Sequence, residues 1–295
     1  MTIPEEKIAN GFSIYGNLPV RFKEGGIKLF IPKKEMPVFF IVLGIVLLLS
    51  GCGGIVMTED FSQSYRVRSG TPVAIYNPNG DVTINGWDED VIEINARKES
   101  IHGQEALDEV DIYIDIAGEM VIRTEYPPGA RKVTVDYDIK VPEDLLVKYI
   151  ECSNGNIIVD GLMGNPVLFS SNGIIQASNI NGIVKARTSN GDINIKAVKG
   201  LEDLITSNGN IEAELPDLHD DIEIKTSNGS IKLALSPDLA VDLKAETSNG
   251  SITIQNINID TEELNKTSLV GSMNGGGLQV SITTSNGSVE LSRLK

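Results

Sequence analysis

Side chains able to do covalent or acid–base chemistry are scarce in this chain. Of its 295 residues, two are histidines, His102 and His219, and two are cysteines, Cys52 and Cys152. A Ser-His-Asp hydrolase needs its three groups to converge. His102 stands in an irregular stretch and His219 in "PDLHDDIE", and both read as solvated loop residues rather than bases. Asp217, Asp220, Asp221 and Glu223 offer oxygen ligands of the kind Ca²⁺ takes, but a polar loop between strands accounts for them more simply. No P-loop, dinucleotide fingerprint, zinc spacing or Gly/Asp nonapeptide calcium repeat is present. The expectation is no catalytic residue, no metal and no cofactor, with a polysaccharide-active enzyme as the remote alternative.

Charge narrows the partners. With 25 Lys and Arg against 41 Asp and Glu, the net charge is -16, which argues against a phosphate-tracking surface and so against nucleic acid. Two cysteines allow at most one disulfide, so stability must come from a packed core. Trp87, in "INGWDED", could stack on a sugar, but packing at the end of the fold is the stronger expectation.

The motif that does recur is Ser-Asn-Gly. Its serines are Ser153, Ser171, Ser189, Ser207, Ser227, Ser248 and Ser285, at spacings of 18, 18, 18, 20, 21 and 37. The pairs Asn154-Gly155, Asn172-Gly173, Asn190-Gly191, Asn208-Gly209, Asn228-Gly229, Asn249-Gly250 and Asn286-Gly287 are expected to turn the chain, as is Asn79-Gly80 in an earlier copy, "VAIYNPNGDVTI". Both residue types tolerate positive φ, so the role expected of the pair is conformational. The sequons "NGS" at Asn228, Asn249 and Asn286 follow from the motif itself, which leaves Asn265, in "NKT", as the accessible glycosylation candidate.

The elements that position these corners follow from period two. Four residues after each serine stand Ile157, Ile175, Ile193, Ile211, Ile231, Ile252 and Val289; one residue before stand Cys152, Ser170, Thr188, Thr206, Thr226, Thr247 and Thr284. Polar residues fill the beats between, so each repeat reads as strand, corner, strand with one face inward. Cys152 takes a Ser/Thr place and reads as an inward, unreactive side chain. A two-residue hairpin would give the same alternation, so an antiparallel meander remains open on register alone.

Stacked coils explain more. In-register stacking puts like residues over one another, giving Thr and Asn hydrogen-bonding ladders and the aliphatic residues a closed core. Gly164, Gly182 and Gly200, each eleven residues after a serine, mark a second corner. The expected fold is all-β: a single-stranded β-solenoid of 18–21-residue repeats over residues 66–295, right-handed by expectation. Seven contiguous coils would make a rod of roughly 30 Å. The long last spacing is either a surface insertion or a degraded coil. "HGQEALDEV" suggests a helical turn, and "VDIYIDIAGEMVIRTEY" and "RKVTVDYDIKVP" suggest strands that cap or extend the sheet.

Before this domain, Val38 to Leu49 form an uncharged run flanked by lysines and by "SGCGG". Leu49-Ser50-Gly51-Cys52 resembles the lipobox of prokaryotic lipoproteins, which implies lipid attachment at Cys52. Extended to Met57, the same run is about the ~20 residues of a membrane-spanning helix. The expected organisation is a leader over 1–35, cytoplasmic or preceding a true start at Met36, a signal or anchor over 36–57, and a linker over 58–65. Either reading tethers the domain to a membrane on the extracytoplasmic side, at the cell surface or in the periplasm.

"VTVDYDIKVPEDLLVKYIECSNGNIIV", followed by "TSNGSIKL" and "TSNGSITI", resembles the putative-adhesin family of prokaryotic envelope proteins. The resemblance covers about residues 66 to 295 and implies a β-solenoid. It implies an adhesin-like or envelope-structural protein that meets an envelope or surface ligand without catalysis. The alternative it implies is an accessory or sensor of an envelope-stress system.

Overall fold

A computed structural model describes residues 56–130 and 132–295. The first strands are β1 (Met57–Tyr65), β2 (Pro72–Asn79), β3 (Val82–Trp87) and β4 (Ile92–Ser100), followed by the short helix α1 (Gln104–Asp108). Then come β5 (Asp111–Asp115), β6 (Met120–Glu125), β7 (Thr134–Pro142), β8 (Leu146–Asn154), β9 (Ile157–Asp160) and β10 (Val167–Asn172). The strands β11 (Ile175–Arg187) and β12 (Ile193–Ile205) are long and bent, and β13 (Ile211–Leu215), β14 (Ile222–Asn228) and β15 (Ile231–Leu235) follow. The chain ends with β16 (Val241–Asn249), β17 (Ile252–Gln255), β18 (Asp260–Leu264), β19 (Ser268–Met273), β20 (Leu278–Asn286) and β21 (Val289–Arg293).

The described chain is an all-β solenoid whose 21 strands join in one continuous sheet. Strands entering a corner stack in parallel, from β2 through β8, β10 and the ends of β11 and β12 to β14. Strands leaving a corner do the same, from β3 through β9 and the starts of β11 and β12 to β13 and β15. This parallel pairing excludes the meander, whose consecutive strands would be antiparallel. Like lies over like: Ile157, Ile175, Ile193, Ile211 and Ile231 are successive partners and all fully buried. The two faces meet at the Ser-Asn-Gly edge and enclose a continuous aliphatic core.

Of the three glycines expected at a second corner, only Gly164 turns the chain, with φ of 103°, and the recurring bend lies three residues earlier. Gly161, Asn179, Ala197 and Asn256, each eight residues after a serine, carry left-handed φ of 67°, 55°, 51° and 56°. Gly182, three residues on from Asn179, serves a close approach instead, since a Cβ there would lie 1.8 Å from the Gly164 carbonyl oxygen.

The last coil is stacked out of chain order. β20 lies between β14 and β16, and β21 lies between β15 and β17. The axial order of corners is therefore Asn79, Asn154, Asn172, Asn190, Asn208, Asn228, Asn286, Asn249. The long spacing is an insertion: β18 and β19 form an antiparallel hairpin, and β19 covers the outer edge of β16. From Met273 the chain crosses the start of β16, where Asn274 donates to the Pro237 and Leu239 carbonyls. Gly275 and Gly276 have φ of 90° and 81°, and a Cβ on Gly277 would lie 2.3 Å from the Ala240 carbonyl oxygen. These glycines carry the chain past β16 and deliver β20 to its other side.

At the opposite end, β6 and β7 lie parallel to β2 and β3. Antiparallel β5 continues the first face, and antiparallel β4 and β1 continue the second. The expected linker over 58–65 is instead part of β1, which pairs with β4 over nine positions and buries Phe61 and Tyr65. Its alternation was masked because Glu59 and Gln63 stand on the same beat as Phe61 and Tyr65. Glu59 pairs with Lys98 at 3.2 Å, and Lys98, itself buried, also donates to the Leu107 carbonyl of α1. Met57, counted as the end of the apolar run, opens this strand.

Candidate functional site

The Ser-Asn-Gly corners form a ridge held by two ladders. Along the first, each corner asparagine amide donates to the side-chain oxygen of the axially preceding one: Asn172 to Asn154 at 2.9 Å, Asn190 to Asn172 and Asn208 to Asn190 at 2.8 Å. It continues from Asn228 to Asn208, Asn286 to Asn228 and Asn249 to Asn286, at 2.8, 2.9 and 3.0 Å. The ladder follows axial order and passes through the exchanged coil unbroken.

The second ladder is buried. Ser170, Thr188, Thr206, Thr226, Thr284 and Thr247 donate to the glycine carbonyl of the preceding corner at 2.8 to 3.1 Å. The Cys152 thiol makes the same contact with Gly80 at 3.1 Å. Burial, reinforced by the Asp81 charge, pushes that thiol up to about 12, so it stays protonated and unreactive.

The corner glycines are required by contact at every stacked corner and by dihedral angle at most of them: Gly80, Gly155, Gly191, Gly209, Gly229 and Gly287 have φ of 117° to 159°, where L side chains are strained. No corner asparagine has a positive φ, and neither do Gly173 and Gly250. A Cβ on Gly173 would nevertheless lie 1.9 Å from the Gly155 carbonyl oxygen, and one on Gly250 1.9 Å from that of Gly287. The same clash, at 2.0 to 2.1 Å, meets a Cβ on Gly155, Gly191, Gly209, Gly229 and Gly287. Backbones stacked this closely leave room only for hydrogen.

The chemistry-bearing candidates do not converge. His219 is exposed, with Asp217 at 3.9 Å, and His102 lines a shallow cavity of about 600 Å³ with Glu105, Glu109 and Lys132 beside α1. Asp221 accepts from the Gln279 amide at 2.8 Å, Asp220 from the Asp221 amide at 2.9 Å, and Glu223 pairs with Lys225 at 3.1 Å. Among the described residues no group of three or more such side chains is placed to hold a metal ion. Trp87 donates to the Val91 carbonyl at 2.8 Å, with Lys140 over its ring at 5.0 Å. Asn265 sits in the exposed turn between β18 and β19, where its oxygen accepts the Thr267 and Ser268 amides and its amide donates to Glu263. Cys52 and the residues before it lie outside the described residues, among which no helix is long and apolar enough to cross a membrane.

One group escaped the sequence reading. Nine aromatic side chains occur among the described residues, none beyond Phe169, and four of them lie on the outside of the first face: Tyr76, Tyr113, Tyr149 and Phe169. Each is half-buried or exposed; Tyr76, Tyr113 and Phe169 are flanked along their strands by buried residues, and Tyr149 lies between exposed Lys148 and buried Ile150. That misplacement, an aromatic at Tyr76 and Phe169 where Glu151, Arg187, Lys225 and Glu246 stand in other copies, was the available signal. Tyr76 and Tyr149 rings lie 5.6 Å apart, and Arg123 sits 4.1 Å over the Tyr113 ring. Burial, with Glu151 alongside, raises the Tyr149 phenol, which donates to that carboxylate at 3.1 Å.

The stacked fold and its corner ridge define a class, and the chain belongs to it: residues 5–292 match the Toastrack DUF4097 family. Among solved structures it is similar to a putative cell adhesion protein from Clostridium sporogenes, at 12% identity and TM-score 0.37 over 80% of this chain and 100% of that one. It is also similar to a putative adhesin from Parabacteroides distasonis, at 13% identity and TM-score 0.39 over 79% of this chain and 97% of that one. No curated protein matches the chain.

Proposed function

We propose that the protein is a membrane-tethered, extracytoplasmic surface protein of adhesin-like or envelope-structural type, acting through its outer faces without catalysis. The observation that carries this reading is the use made of the repeated polar groups. The corner asparagines, the inward Thr, Ser and Cys side chains and the corner glycines are all engaged in stacking. The repeat thus builds a shape, and what remains for a partner is the exterior of its two faces. Membership of the family supports the same reading, and the lipobox-like Cys52 supports the tether.

The test uses the full-length chain and its Cys52→Ala variant in cells. Wild-type protein is expected in the membrane fraction with a lipid-increased mass, and the purified protein is expected to sediment with envelope preparations. Unchanged mass and membrane retention in the variant would reject lipidation in favour of a spanning segment. Failure to bind envelopes or whole cells would remove the surface-binding role.

A further inference from the structure

The outer side of the first face carries a row of residues in register across neighbouring strands: Tyr113, Arg123, Tyr76, Glu151 and Phe169. Rings therefore recur at every second strand, about 10 Å apart, with a charged side chain between each pair. Tyr149 stands beside the row and packs on Tyr76. Aromatic rings on a flat, water-facing sheet contribute little to the core, and such contiguous patches mark binding surfaces.

The electrostatics select the occupant. Arg123 is paired with Glu125 at 2.7 Å, Lys185 with Glu202 at 3.1 Å, and Arg187 with Asp203 at 3.5 Å. The patch is thus neutralised from within, in a molecule of net charge -16. A polyanion meets cations that are already paired and a repulsive field beyond them. From Arg123 to Phe169 the patch also lies on a sheet face whose strands β6, β2, β8 and β10 are paired on both sides, so an added peptide strand finds no free edge under Tyr76 or Phe169.

We infer that this row binds an extended, uncharged polysaccharide, its sugars stacked on Tyr113, Tyr76 and Phe169 and their hydroxyls bonded to Arg123 and Glu151. A pyranose ring is apolar on its C–H faces, which suit the negative face of an aromatic ring, and polar at its rim. In an extended β-linked chain the same sugar face returns at every second residue, which is the period of the rings. From Tyr113 to Phe169 the row spans four strand intervals, about 19 Å. The inference rests on the surface-binding reading and names the ligand class for it.

Full-length protein titrated with cellohexaose and chitohexaose, two uncharged β-linked probes, tests it, with polygalacturonate as the anionic comparison and envelope sedimentation run in parallel. At least one hexaose is expected to bind, with affinity at least tenfold lower in Tyr76→Ala and in Phe169→Ala. Tyr76→Phe, which keeps the ring, and Thr283→Ala, farther along the same face, are expected to bind like wild type. All four variants should melt like wild type, because the side chains are on the outside. Envelope binding without hexaose binding would overturn the ligand class and leave the surface role standing, whereas loss of both would overturn both. Binding that is indifferent to Tyr76 and Phe169, or as tight for polygalacturonate, would overturn the site.

Discussion

Coils with corners at Asn154, Asn172, Asn190 and Asn208 stack in chain order, whereas those at Asn228, Asn249 and Asn286 do not, although ladder distances and glycine contacts are alike in both groups. In the first group each coil runs directly into the next, through β9 and β10 after Asn154 and then through β11 and β12, which belong to both faces. In the second, the β18–β19 hairpin occupies the outer edge of β16, and the last coil is seated between its predecessors. The difference teaches that the motif specifies a coil and not its neighbour. Any copy fits any other, because in-register parallel stacking sets the same residue types face to face.

The largest expected effect comes from removing the exchanged coil, residues 278–295. Val280, Ile282, Val289 and Leu291 are fully buried, and losing them forfeits roughly 6 to 12 kcal/mol of apolar burial. Hydrogen exchange should show protection lost across β14 to β17 while the upstream coils keep theirs, because solenoid stability is a sum over neighbours. Retained protection there would mean that β16 restacks directly on β14, in chain order.

Next in size is the glycine contact. Gly209→Ala, within the chain-ordered stack, and Gly287→Ala, within the exchanged coil, both push a Cβ to 2.0 Å from a backbone oxygen. Each should lower stability by about 3 kcal/mol or more in denaturant unfolding. A much milder Gly287→Ala would show that the exchanged junction is looser than the chain-ordered one.

The smallest effect at neutral pH belongs to Cys152, in the ladder next to the antiparallel cap. Its thiol is raised to about 12 in the folded chain. A raised acid group stabilises fully below its unfolded value, and that stability is lost as pH climbs toward the folded one. Stability should therefore fall above pH ~9 by about 1.4 kcal/mol per unit, with buried Tyr137, also raised by desolvation, adding at higher pH. Cys152→Ser keeps a donor to Gly80, as Ser170 does for Gly155, so it should be near neutral at pH 7 and delay the alkaline onset in melting scans.

Some of this was legible because it is local. Alternation around the motif marked Thr247 and Ile252 as inward, and both are buried in the structure. The first copy, Val73 to Ile84, and the helical turn at α1 were legible for the same reason. Strand β1 was not, since Glu59 and Lys98 satisfy each other only across strands distant in sequence. The ring row was not either, because Tyr113, Tyr76 and Phe169 become neighbours only by stacking.

The sequence by itself determined the coil: where it bends, which side chains face inward and which residue types stack. Periods of two and about eighteen are properties of nearby residues, and short-range sterics and burial act on them directly. Tertiary structure alone decided the order of the coils, the close backbone contact made at each corner glycine and the surface assembled outside. Those depend on which backbone lies about 4.8 Å away, and among equivalent repeats only the connecting chain and the occupied edges make that choice.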